Sequence, residues 1–86
     1  MVPWRLEFSH DAAKVLLRMS RDEARRIRGK LDDLARDPLH APNVKRLAGT
    51  PGYRLRVGKW RVLYRLIEDR CIVDVIRIAQ RGQAYR

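Results

Sequence analysis

Four arginines on one short hairpin are the residues of this chain best placed to do chemistry. In "YRLRVGKWRVLYR", Tyr53 to Arg65, large apolar residues alternate with Arg54, Arg56, Arg61 and Arg65 on either side of Gly58-Lys59. A Gly-X pair between two alternating segments suits a two-residue type II′ turn, and such a turn fixes the register. Val57 then faces Trp60, Arg56 faces Arg61, and Leu55 faces Val62. Tyr53, Leu55, Val57, Trp60, Val62 and Tyr64 fall on one side of the hairpin and the four arginines on the other. Like charges directly opposed destabilise a sheet, and local violations of this kind gather at functional sites. Guanidinium forks grip phosphate oxygens in pairs, so the arginine side is expected to bind phosphate. Lys45 and Arg46, in the segment that leads into the hairpin, are expected to add to that surface.

The rest of the composition points the same way. Twenty Lys and Arg against ten Asp and Glu leave a formal net charge of +10, which makes a polyanion the default partner. Hydrophobic residues make up 45% of the 86, and no stretch is repeated or of low complexity, so a single small folded domain over residues 1–86 is expected rather than a disordered basic tail. The lone Cys71 has no intrachain partner and sits in an apolar run, the setting of a buried, inert thiol in a reducing compartment. His10 and His40 have no metal-ligand spacing and no partner for a Ser-His arrangement, so no metal and no other cofactor is expected. No apolar stretch reaches membrane length and no signal-peptide pattern opens the chain. The expected location is the cytoplasm, away from any membrane.

The elements that must position the arginines follow from periodicity. "VPWRLEF" alternates Trp4, Leu6 and Phe8 with Arg5 and Glu7, the pattern of a half-buried strand. Ser9 can cap a short helix over about Asp11 to Met19 that buries Ala12, Val15, Leu16 and Met19. "SRDE", Ser20 to Glu23, has capping-box spacing and opens a second helix with Ala24, Ile27, Leu31, Leu34 and Ala35 on one face, ending before Pro38. Leu39 to Gly52 reads as a loop. Strands over Tyr53 to Val57 and Trp60 to Ile67 follow, then a turn at Glu68, Asp69 and Arg70. "CIVDVIRIA", Cys71 to Ala79, is apolar on both faces, as in a strand covered on both sides. The expected fold is α+β in the order β-α-α-β-β-β, a small, mainly antiparallel sheet with an N-terminal helical hairpin packed on one face.

The segment "KRLAGTPGYRLRVGKWRVLYRL", then a strand leading into "AQRGQAYR", resembles toxins of the RelE/ParE superfamily of type II toxin-antitoxin systems. The likeness spans the whole element order and is strongest over the C-terminal half. In the RelE-like branch it implies a ribosome-dependent endoribonuclease that cuts mRNA in the A site without a metal. The positions that match that branch's cleavage residues are Arg54 and Arg56, then Arg61, Arg81 and Tyr85. Arg61, Arg81 and Tyr85 are thereby implied as catalytic, with Lys45, Arg46, Arg54, Arg56 and Arg65 holding RNA phosphates. The resemblance also implies an acidic antitoxin that joins the toxin in a hetero-oligomer, the free toxin being monomeric. Two other readings stay open: a ParE-like inhibitor of DNA gyrase, and a basic RNA-binding module without catalysis.

Overall fold

The computed structural model describes residues 2–80. It runs β1 (Arg5–Phe8), α1 (His10–Arg18), α2 (Arg21–Arg36), β2 (Val44–Arg46), β3 (Tyr53–Val57), β4 (Trp60–Ile67), a 3-10 turn (Glu68–Arg70) and β5 (Ile72–Gln80). One five-stranded sheet results, in the order β1-β5-β4-β3-β2. Every pairing is antiparallel except that of β1 with β5. The α+β class and the helical pair agree with the sequence.

The helices form where their caps place them. The Ser9 hydroxyl accepts the Ala12 N–H at 3.0 Å to start α1, and the Ser20 hydroxyl accepts the Glu23 N–H at 3.2 Å to start α2; each satisfies a backbone donor that a helix leaves orphaned. Both helices lie on one face of the sheet. Ala12, Ile27, Leu31 and Leu34 pack against Leu55, Val57, Val62, Tyr64, Val73, Val75 and Ile78, with Trp4, Leu6, Phe8, Val15 and Leu16 around the margin. The Trp4 N–H donates to the Ala35 carbonyl at 2.7 Å and ties the entry of β1 to α2.

Four expectations are corrected. The segment from Leu39 to Gly52 is not all loop: Val44–Arg46 forms the edge strand β2 on β3, a pairing made across the sheet and invisible in three residues of local sequence. Cys71 is exposed rather than buried, in the left-handed region at φ 53°, where it closes the 3-10 turn. β5 is not covered throughout, because Ile76 and Arg77 are exposed between the buried Val75 and Ile78. The carboxylate of Glu23 accepts from Trp60 Nε1 at 2.9 Å and lies 3.5 Å from Lys59 Nζ, so it leaves the capping box to hold the tip of the β3–β4 hairpin on α2.

Two glycines are required by the backbone. Gly58 opens the hairpin turn at φ 59°, as a type II′ turn demands of its first central residue. Gly52 has φ 124°, and a Cβ there would meet the Tyr64 carbonyl oxygen at 2.9 Å.

Candidate functional site

The face of the sheet away from the helices carries the arginines, and the register follows the sequence: Arg56 lies opposite Arg61, Leu55 opposite Val62, and Val57 opposite Trp60. Residues that face each other across strands share a side of the sheet, so the strand pairings build this surface row by row. Lys45, Arg54, Leu63 and Arg77 cross β2, β3, β4 and β5 in one row. Arg56, Arg61 and Ala79 make the next. Arg65, Asp74 and Glu7 make a third at the other end. Rows lie about 7 Å apart and neighbouring strands about 4.8 Å apart.

These rows differ in charge. Arg65 Nε donates to Asp74 Oδ2 at 3.1 Å, and Glu7 holds Arg5 at 3.4 Å on β1. The end near β1 is therefore internally paired, and Arg65 stands beside a carboxylate that the arginine pattern of the hairpin did not reveal. The end near the hairpin tip concentrates Arg56 and Arg61, which with Gly58, Lys59 and Trp60 line a cavity of about 180 Å³. Arg56 is exposed, while Arg54 and Arg61 are partly buried. Lys45 and Arg54 line a second cavity with Arg46, Leu47 and Ala48.

Arg46 does not join the arginine face. It pairs with Tyr53, which lies on the helix side, and its guanidinium stands 5.9 Å from the centre of the Tyr53 ring. Arg81 and Tyr85 lie outside the described residues. Among the described residues no three His, Cys, Asp or Glu side chains gather as a metal-ligand set, and no helix is long and apolar enough to cross a membrane.

One basic residue of the face is missing from the sequence reading. Strict alternation along β5 would put Arg77 on the side of Val73 and Val75, in the core. The β4–β5 register instead shifts beside Leu63 and Tyr64. Ile76 becomes the extra residue of a bulge, Arg77 turns to the open face opposite Leu63, and Ile78 takes the core position. Ser9 secures the irregularity: its hydroxyl donates to the Ile76 carbonyl at 2.6 Å, and its N–H donates to the Val75 carbonyl at 2.8 Å. The one signal in sequence is parity, since the core residues of "VDVIRIA" pass from odd positions, Val73 and Val75, to the even position Ile78.

Beneath the arginines, Tyr64 is fully buried and stacked on Tyr53 with ring centres 5.5 Å apart. Its hydroxyl has no hydrogen-bond partner among the described residues. Burial, and then the neighbouring Tyr53 phenol, push its pKa from 10.0 up to about 12. It remains a neutral core residue with no part in proton transfer near neutral pH.

A single-layer sheet backed by two helices, with cations gathered on its other face, is the fold of a class of small toxins. Residues 6–85 match the model of the ParE toxin of type II toxin-antitoxin systems, and the chain belongs to that family, within the RelE/ParE superfamily. Toxin RelG of Mycobacterium tuberculosis is 38% identical over 56 residues, a stretch that spans 63% of this chain and 62% of that relative. The toxin in the RelBE2 toxin-antitoxin complex of M. tuberculosis superposes with a TM-score of 0.81 at 26% identity, over 95% of both chains. The archaeal RelE-RelB complex of Pyrococcus horikoshii gives 0.80 at 25% identity, over 96% of this chain and 100% of that one.

Proposed function

We propose that this chain is the toxin of a type II toxin-antitoxin pair and acts as an endoribonuclease on mRNA in the ribosomal A site. The observation that carries the reading is the Arg56–Arg61 pair, two cations directly opposed on an uncovered sheet face. Like charges directly opposed disfavour a sheet, and a phosphate between the two would be gripped by both guanidinium forks.

Cleavage without a metal has three requirements. A base takes the proton of the ribose 2′-hydroxyl, the 2′-oxygen forms a bond to the adjacent phosphorus, and the P–O5′ bond breaks as the leaving 5′-oxygen gains a proton. The products are a 2′,3′-cyclic phosphate and a 5′-hydroxyl. Arg61, mid-face beside Arg56, holds the scissile phosphate and stabilises its added charge. Arg54, Arg56 and Lys45 hold flanking phosphates. Arg81 stabilises the phosphate or the leaving oxygen; an arginine holds its proton too tightly to be a good donor. Tyr85 serves as base, with arginines stabilising its phenolate, or stacks on a nucleobase.

The partner is an acidic antitoxin that covers this basic face in a hetero-oligomer, the toxin being monomeric when free; the toxin-antitoxin complexes among the relatives support an antitoxin partner. The working place is the cytoplasm, where ribosomes are found. A second reading, inhibition of DNA gyrase by the same fold, is favoured by the family match to ParE toxins. The test runs both in parallel: mRNA 5′ ends are mapped in a translating extract, and gyrase supercoiling is assayed with the same protein. Codon-phased cuts with supercoiling intact are the expected result. Lost supercoiling without cuts replaces the nuclease by the gyrase inhibitor, and binding to RNA with neither effect leaves a non-catalytic module.

A further inference from the structure

We propose that Arg54, Leu63 and Arg77 form a nucleotide subsite for single-stranded RNA next to the Arg56–Arg61 row, with one nucleobase resting on Leu63 and the adjoining phosphates held by the two arginines. The proposal rests on the RNA-directed reading above and adds two residues to it, Leu63 and Arg77.

The row is composed differently from a surface that merely attracts a polyanion. Its centre, on β4, is a partly buried leucine, with Arg54 paired to it from β3 and Arg77 from β5. Arg54 and Arg77 thus stand about 10 Å apart across two strand spacings, with an apolar floor between them. The flat face of a base can cover apolar surface, while its sugar-phosphate links carry the charge. Duplex nucleic acid keeps its bases stacked inside and has no face to offer Leu63, so the floor selects an unpaired strand. The next row, about 7 Å on, places Arg61 opposite Ala79, and Arg56 and Arg61 there border a cavity of about 180 Å³ into which the following phosphate would fit.

The backbone is arranged to deliver Arg77 to this place. Only the bulge at Ile76 turns it away from the core, and bulges commonly re-aim side chains beside active sites. The irregularity leaves Ile76 38% exposed, and the Ser9 hydroxyl holds its carbonyl at 2.6 Å. Ser9 is therefore a positioning residue for Arg77 as well as the cap of α1.

The test uses the intact chain and a 2′-O-methyl single-stranded oligonucleotide, which has the phosphates and bases but not the nucleophile. Affinity is measured as a function of salt. Arg77→Gln is expected to reduce the magnitude of the log-log salt slope by about 0.7, the signature of one lost single-strand phosphate contact. Arg25→Gln, an equal loss of charge on the exposed side of α2, leaves the slope unchanged. Leu63→Ser is expected to weaken binding about fivefold while leaving the affinity for an abasic oligonucleotide of the same length intact. Leu63→Thr, which retains strand propensity, repeats the comparison if the serine variant fails to fold. An unchanged slope for Arg77→Gln, equal losses on abasic and base-containing strands, or equal competition by duplex DNA each overturns the subsite. Absence of mRNA cuts in the extract, with these binding differences intact, sinks the nuclease reading and leaves the subsite standing.

Discussion

The two sides of the β3–β4 hairpin are built from alternate residues of one stretch, and they obey opposite rules. On the helix side, Leu55, Val57, Val62 and Tyr64 are buried against Ile27, Leu31 and Leu34, and removing apolar volume there costs stability. On the open side Arg56 meets Arg61 across the strands, a juxtaposition of like charges that a sheet disfavours. A chain this small has little stability to spare. The helix side therefore carries the stability of the hairpin, and the open side draws on it.

The largest loss is expected on the helix side. Leu31→Ala removes a fully buried side chain and is expected to lower unfolding free energy by about 2–5 kcal/mol, read by urea denaturation. Arg61→Ala makes the opposite case: mRNA cutting falls by roughly 100-fold or more, as for loss of one donor to a developing oxyanion, while the denaturation midpoint stays at or above that of the parent.

Tyr64 sharpens the comparison through pH. The folded chain keeps the phenol protonated up to about 12, against 10.0 for an ordinary tyrosine, so above pH 10 the unfolded state loses this proton first. The stabilisation is complete below pH 10 and is lost as pH rises toward 12, roughly 2–3 kcal/mol in all. Tyr64→Phe should flatten that alkaline decline. Near neutral pH it should raise stability by about 1 kcal/mol, since the hydroxyl it removes is buried without a partner; thermal unfolding across pH reads both.

Ser9→Ala is next in size. It deletes the α1 cap and the hold on the bulge, at a cost of about 1–2 kcal/mol, and it should lower RNA affinity although Ser9 touches no RNA. Threonine at position 9 restores both. Smallest is Arg56→Thr, which removes the opposed charge and places a β-branched residue in a strand. Stability should rise by about 0.2–1 kcal/mol while RNA binding weakens, a trade that no core position offers.

What sequence revealed depended on the range of the signal. The hairpin, its register and its two faces follow from Gly58-Lys59 and local alternation, and the helices follow from the caps at Ser9 and Ser20. The edge strand Val44–Arg46 exists only because β3 supplies its hydrogen bonds, and the parallel β1–β5 pairing joins residues far apart in the chain. Both are non-local and left no periodic trace. Within the candidate site, Arg54, Arg56 and Arg61 were legible for the same reason as the hairpin. Arg77 was hidden by one residue of parity, and the partnership of Arg65 with Asp74 needed β5 laid beside β4. Arg46 is placed less simply, since it pairs with Tyr53 of the helix side yet borders one cavity with Lys45 and Arg54 at the sheet edge.

Cys71 offers a chemical handle. It is the single cysteine of the chain, exposed at the closed end of the 3-10 turn, and five residues of strand separate it from Arg77, about 20 Å of extended chain. A thiol-reactive dye attached there would sit clear of the arginines yet within energy-transfer range of a labelled RNA. The position of a bound strand on the open face, and its displacement by an antitoxin, can thus be followed optically in solution.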